Sequence, residues 1–128
     1  MLTNQQKHTI IENYIQAYNS FDVAGMLSNL HSQVNFKNIA NDQVNLELQG
    51  IEAFENQANQ AKTLFSERQQ TITNIQFGEQ DVTIQIDYEG TLAQDLPNGL
   101  KAGETIKLNG RSVFKFEEDK IIEIQDIS

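Results

Sequence analysis

The stretch DVTIQIDYEGTLA, residues 81–93, alternates strictly in character. Val82, Ile84, Ile86, Tyr88 and Leu92 fall on one face, and Thr83, Gln85, Asp87, Glu89 and Thr91 on the other. A period of two marks a half-buried β-strand. Two further strands follow. Thr105 to Phe116 carries Ile106, Leu108, Phe114 and Phe116 on one face and Lys107, Asn109, Arg111 and Lys115 on the other, and Ile121 to Ile127 is the last strand. Asp95-Leu96-Pro97-Asn98-Gly99 forms the first turn, because proline fixes one φ and Asn-Gly accepts positive φ. Glu117 to Lys120 forms the second.

Upstream the period is helical. Ile11, Ile15 and Tyr18, flanked by Tyr14 and Phe21, make one stripe of a first helix. Asp22 is an N-cap for a short second helix, Val23 to Leu30. Val34 and Phe36 mark a short strand, residues 38–45 read as a polar loop, and Leu46 to Gln49 is a second short strand closed by Gly50. Ile51, Phe54, Ala58, Ala61 and Phe65 then line one face of a third helix. Ile72 to Phe77 reads as a strand. The expected helices are 4–20, 22–30 and 51–66, with a sheet dominated by 68–127. Three N-terminal helices on one face of a curved antiparallel sheet make an α+β fold, here one domain over residues 1–128.

The formal net charge is −9, which makes nucleic acid and anionic membranes poor partners. The absence of cysteine excludes a thiol nucleophile and disulfides and fits a cytoplasmic protein. Met1 to Lys7 holds no apolar run, so no secretory signal is expected, and no segment approaches the ~18–20 apolar residues of a membrane span. His8 and His31 have no ligand spacing, so neither metal nor cofactor is expected, and His31 reads as a solvated turn residue.

Register decides where Asp126 points. With the turn near Asn98, Ile86 is expected near Ser112, Tyr88 near Gly110, and Asp87 beside Arg111 on the opposite face. The last hairpin has two options. A two-residue turn sets Phe116 against Ile121 and sends Ile121, Glu123 and Gln125 inward. An odd turn with a bulge sets Phe116 near Ile122 and sends Ile122, Ile124 and Asp126 inward. The second buries two isoleucines and is preferred. It places Asp126 beside Ser112 and within reach of Tyr88. An inward carboxylate either has a hydrogen-bonded partner at a strand end or works as a general acid/base with its pKa raised by desolvation. The tyrosines are phenol donors or rim-packing core residues. The expected pocket comprises Tyr14, Tyr18, Phe36, Phe54, Phe65, Tyr88, Ser112, Phe114 and Asp126.

Several pieces in order, Tyr14-x-x-Ala17-Tyr18-Asn19-x-x-Asp22, Leu30-His31-x-x-Val34-x-Phe36, Gly50-Ile51-Glu52-Ala53-Phe54, Gly110-Arg111-Ser112-Val113-Phe114-x-Phe116 and Lys120 to Asp126, resemble the nuclear transport factor 2-like superfamily and, within it, the SnoaL-like group of polyketide cyclases and ketosteroid isomerase-like proteins. The resemblance implies a cone in which the curved sheet wraps the long helix around an apolar pocket. SnoaL-like cyclases often end in Ile-x-Glu-His-Trp-Asp. Here Asp126 and Glu123 match its acids, while Ile124 and Gln125 replace the His and Trp. The resemblance therefore implies an enzyme without cofactor, in which Asp126 moves a proton next to the carbonyl of a hydrophobic small molecule and Tyr88 or Tyr18 holds the enolate oxygen. Two other functions stay open: a pocket that binds without chemistry, and a dimerisation module. A homodimer is expected through the convex sheet face, which carries Gln85, Asp87, Thr91, Asn109, Arg111 and Val113.

Overall fold

A capping box starts the first helix. The Thr3 hydroxyl accepts from the Gln6 amide, and the Gln6 side chain accepts from the Thr3 amide. The structure, a computed structural model, describes residues 2–128. Helix α1 runs Asn4–Asn19 and α2 runs Val23–Leu27, the latter capped by Asp22 accepting from the Gly25 amide at 3.0 Å. Helix α2 ends at Leu27, short of the expected Leu30, which already belongs to strand β1 (Leu30–Ala40). The expected loop over 38–45 is a tight hairpin into β2 (Gln43–Gln49). Its turn residues Asn41 and Asp42 both have positive φ, 54° and 63°, which Asn and Asp tolerate and a twisted two-residue hairpin requires. The segment is polar because most of β2 faces solvent, and polarity was the only loop signal.

Helix α3 (Ile51–Ala61) gives way to a single tight turn, Lys62–Leu64, and then to β3 (Phe65–Phe77). The third helix thus stops well before Ser66. The apolar spacing ran on to Phe65 because that ring serves the same interior from the start of a strand. Strands β4 (Asp81–Leu92), β5 (Thr105–Glu117) and β6 (Lys120–Ile127) complete one sheet of order β2-β1-β6-β5-β4-β3. Three helices are present, two before the sheet and α3 after its first hairpin. The sheet is also not wholly antiparallel, since β6 inserts beside β1 and runs parallel to it. Periodicity reports which face a residue takes, and it is silent on strand direction and neighbour. Among the described residues no helix is long and apolar enough to cross a membrane.

Both late hairpins depart from the expected register. Ile84 pairs with Ser112, Ile86 with Gly110 and Tyr88 with Leu108, two residues from expectation. An even slip preserves the faces. It also pairs Arg111 with Gln85 and Asp87 with Asn109, so the expected Asp87–Arg111 ion pair is not formed among the described residues. The connection closes where Gly103 donates to the Leu92 carbonyl and Leu92 donates to Glu104. The last hairpin combines features of both options. A two-residue turn sets Phe116 against Ile121, and an extra residue, Ile122, then returns Phe114 to Ile124 and Ser112 to Asp126. Ile121 and Ile124 are fully buried, whereas Ile122, expected inward, is half-buried.

The core lies between α1 and the sheet, around Ile11, Val34, Val82, Ile84, Phe114, Ile121 and Ile124. The C-terminal end of α1 is tied to the edge strand. The Asn19 amide donates to the Gln70 carbonyl at 3.1 Å, and its oxygen accepts from the Gln70 N–H at 2.7 Å. A side chain thus stands in for a missing strand partner. Asn19→Ala is expected to destabilise the protein by about 1–3 kcal/mol, because two part-buried backbone groups lose their partners. Urea unfolding measures this, and an unchanged midpoint would show that water replaces Asn19 at no cost.

Candidate active site

Seven elements bring their inward side chains to one place. Tyr14 and Tyr18 come from α1, Phe36 and Asn38 from β1, Phe54 from α3, Arg68 and Gln70 from β3, Tyr88 from β4, Ser112 from β5 and Asp126 from β6. They line a cleft of two lobes. The inner lobe, about 190 Å³, is walled by Tyr14, Tyr18, Met26, Phe36, Leu48, Phe54 and Arg68, among others. The outer lobe, about 230 Å³, has Tyr88, Ser112 and the half-exposed Leu108 in its wall. Tyr18, Asn38, Gln70 and Asp126 line both, so Asp126 stands where the lobes meet.

Asp126 lies across the strand pair from Ser112, whose hydroxyl donates to its Oδ1 at 2.6 Å. Burial pushes the carboxyl up to about 6, with the Ser112 hydrogen bond pulling partly the other way. The Tyr18 hydroxyl donates to the Tyr88 hydroxyl at 3.3 Å. Burial, followed by the neighbouring Tyr18, raises Tyr88 far above the ordinary phenol value. Burial, followed by the charge of Asp126, raises Tyr14. At neutral pH Tyr14 and Tyr88 are therefore neutral donors, beside a carboxyl that is mostly ionised. Gly90 makes room for this arrangement. A Cβ there would stand 2.9 Å from the Tyr88 hydroxyl and 2.9 Å from the edge of Phe65.

Of the expected pocket residues, Tyr14, Phe36 and Phe54 line the inner lobe, Tyr88 and Ser112 line the outer lobe, and Tyr18 and Asp126 line both. Phe114 and Phe65 line neither. Phe114 is 1 % exposed and packs edge-on beneath Tyr14 at 6.0 Å, while Phe65 packs edge-on against Tyr88 at 6.1 Å. Inward parity puts a residue in the interior but does not say whether it faces a cavity or fills the layer behind it. Tyr88 also does not bond Asp126 among the described residues, because its hydroxyl is taken by Tyr18. His31 lies outside the cleft, its Nδ1 accepting from the Gln33 amide at 3.0 Å and its Nε2 3.1 Å from Glu117.

Sequence reading passes over Arg68. It is 6 % exposed, its Nε donates to the Tyr18 carbonyl at 2.9 Å, and its guanidinium lies 3.7 Å above the Tyr18 ring and 4.6 Å from that of Phe21. The available signal was parity. Arg68 pairs with Gly90, two residues from inward-facing Tyr88, but β3 was expected to begin only at Ile72.

The SnoaL-like domain family matches residues 11–124. The chain belongs to that family. No curated protein sequence matches it significantly. Among solved structures, it is similar to a candidate polyketide cyclase from Xanthomonas campestris pv. campestris, with 18% identity, 97% of this chain and 90% of that one covered, and a TM-score of 0.81. It is also similar to a hypothetical protein of ketosteroid isomerase-like fold from Catenulispora acidiphila, in complex with trimethylamine (14% identity, 91% and 82% covered, TM-score 0.74). A third is an NTF2-like protein of unknown function from Burkholderia pseudomallei (14% identity, 94% and 88% covered, TM-score 0.72). At these identities the likeness is one of fold: the SnoaL-like chain shares the α+β architecture of a curved sheet with helices packed on it.

Proposed function

We propose that this SnoaL-like protein catalyses cofactor-free proton transfer on a hydrophobic carbonyl compound, with Asp126 as acid/base and the Tyr18–Tyr88 pair as hydrogen-bond donor to the carbonyl oxygen. The observation that carries the reading is the position of Asp126. It is held by one hydroxyl at the junction of two largely apolar lobes, with its carboxyl raised to about 6. A base of that strength is mostly ionised at pH 7 and still returns a proton readily. In the forward step Asp126 takes a proton from the carbon next to the carbonyl. The C–H electrons form the enolate, whose oxygen the phenols stabilise by hydrogen bonding. The proton then returns at another carbon, or the enolate carbon attacks a second carbonyl of the same molecule, closing a ring as that C=O π bond breaks, and the resulting alkoxide takes the proton back from Asp126.

Exchange of hydrogens next to the carbonyl, followed by NMR in heavy water, tests this with 2-tetralone and 3-benzoylpropionate. The expected result is exchange faster than in buffer, with an acid limb whose midpoint lies near 6. Binding without any acceleration for either ketone would replace the enzyme with a non-catalytic binding module.

A further inference from the structure

We propose that Arg68 anchors an anionic oxygen of the ligand, so that the cleft takes ring-bearing organic acids that also carry a carbonyl. The proposal deepens the proton-transfer reading by naming the substrate class, and it rests on that reading only for the carbonyl. Arg68 is more than nine-tenths buried and lines the inner lobe. Among the described residues no carboxylate comes within ion-pair distance of it, and its Nη2 is buried with no hydrogen-bond partner. Two aromatic faces and one carbonyl hold the guanidinium in place, and none of them neutralises it. A buried cation in that state is costly unless something pairs with it, and an unmet guanidinium N–H matches a carboxylate oxygen in geometry and charge.

The cleft supplies the rest of the selectivity. Met26, Phe36, Leu48 and Phe54 offer an apolar bed for a ring. Asp126 lines the same lobe without pairing with Arg68, so the cavity holds one acidic and one basic group, each free for a different part of the ligand. A keto acid spans both, with its carboxylate on Arg68 and its reactive carbon at Asp126. The field of Arg68 also reaches the phenols, where it opposes the raised values of Tyr14 and Tyr88.

Calorimetric titration of the whole protein with 2-naphthoate and the neutral isostere 2-naphthamide tests the anchor without any turnover. Wild type is expected to bind the carboxylate at least tenfold tighter, and Arg68→Gln to lose that preference while still binding the amide. Equal affinities in wild type, no binding of either probe, or a preference that survives Arg68→Gln would overturn the proposal. Should Arg68→Gln fail to fold, nuclear Overhauser contacts decide on wild type: contacts from naphthoate to Phe36 and the Arg68 side chain support the anchor, and contacts confined to surface lysines overturn it. Ketone exchange with no carboxylate preference rejects the anchor alone. The preference without ketone exchange rejects the proton-transfer reading alone.

Discussion

Asp126→Asn is expected to slow exchange next to the carbonyl by roughly 10²–10⁴-fold, the usual contribution of a positioned general base, while ketone affinity changes only a few-fold. The same variant is expected to be more stable than wild type at pH 7.5. The carboxyl is raised from its ordinary 3.8 to about 6 in the folded protein, so between those values the native state binds more protons than the unfolded one. Wild-type stability therefore falls as pH rises through that window, and the loss is complete above about 6. A shift of about two units corresponds to at most roughly 3 kcal/mol, and the actual value is smaller because Asp126 is partly exposed. Asparagine carries no charge to bury and can still accept from Ser112. Calorimetric unfolding at pH 4 and pH 7.5 should show the advantage of the asparagine variant at the higher pH and its disappearance at the lower. A wild type whose stability is flat from pH 4 to 6.5 would leave Asp126 as a solvated strand end and remove the basis for the proton-transfer reading.

Phe114→Ala is expected to cost about 3–5 kcal/mol, the range for deleting a buried phenylalanine. The ring is 1 % exposed, lies beneath Tyr14 and sits on the strand that pairs with β6 at Ile124. Marginal stabilities of about 5–15 kcal/mol make this a large fraction of the total. The effect should extend to the cleft, since Tyr14 loses the surface it rests on. Urea unfolding gives the first quantity and 2-naphthamide affinity the second. A cost under about 1 kcal/mol would mean that the layer beneath the site collapses to fill the space, and the pocket floor would then not depend on Phe114.

Much of the architecture was legible because local chemistry and global packing agree. The alternation of β4 reaches both its ends within a residue, Asp22 caps α2 as expected, and the inward set Val82, Ile84 and Ile86 is buried as its parity requires. Elsewhere a residue answers to something far along the chain. Phe65 continued a helical spacing from a strand. The polarity of 38–45 concealed a hairpin. Ile122 was one residue too many for a regular ladder, which the chain accommodates as a bulge. That bulge sends Asp126 to Ser112 in spite of a two-residue turn, so the register that buries more apolar surface is also the one that turns the candidate acid inward.

By itself, then, the amino-acid sequence determined the faces: which side of each late strand meets the helices, and hence that Asp126, Ser112 and Tyr88 share the interior with Tyr14 and Tyr18. Parity and periodicity are set by the backbone and need no partner to be read. Tertiary structure alone decided who touches whom. It placed β6 parallel to β1, gave the Tyr88 hydroxyl to Tyr18 instead of Asp126, moved Phe114 and Phe65 one layer back, and buried Arg68 beneath the end of α1 with an N–H unmet. Those outcomes depend on strand order and on how side chains from seven elements fill one volume, and no local pattern in the chain encodes either.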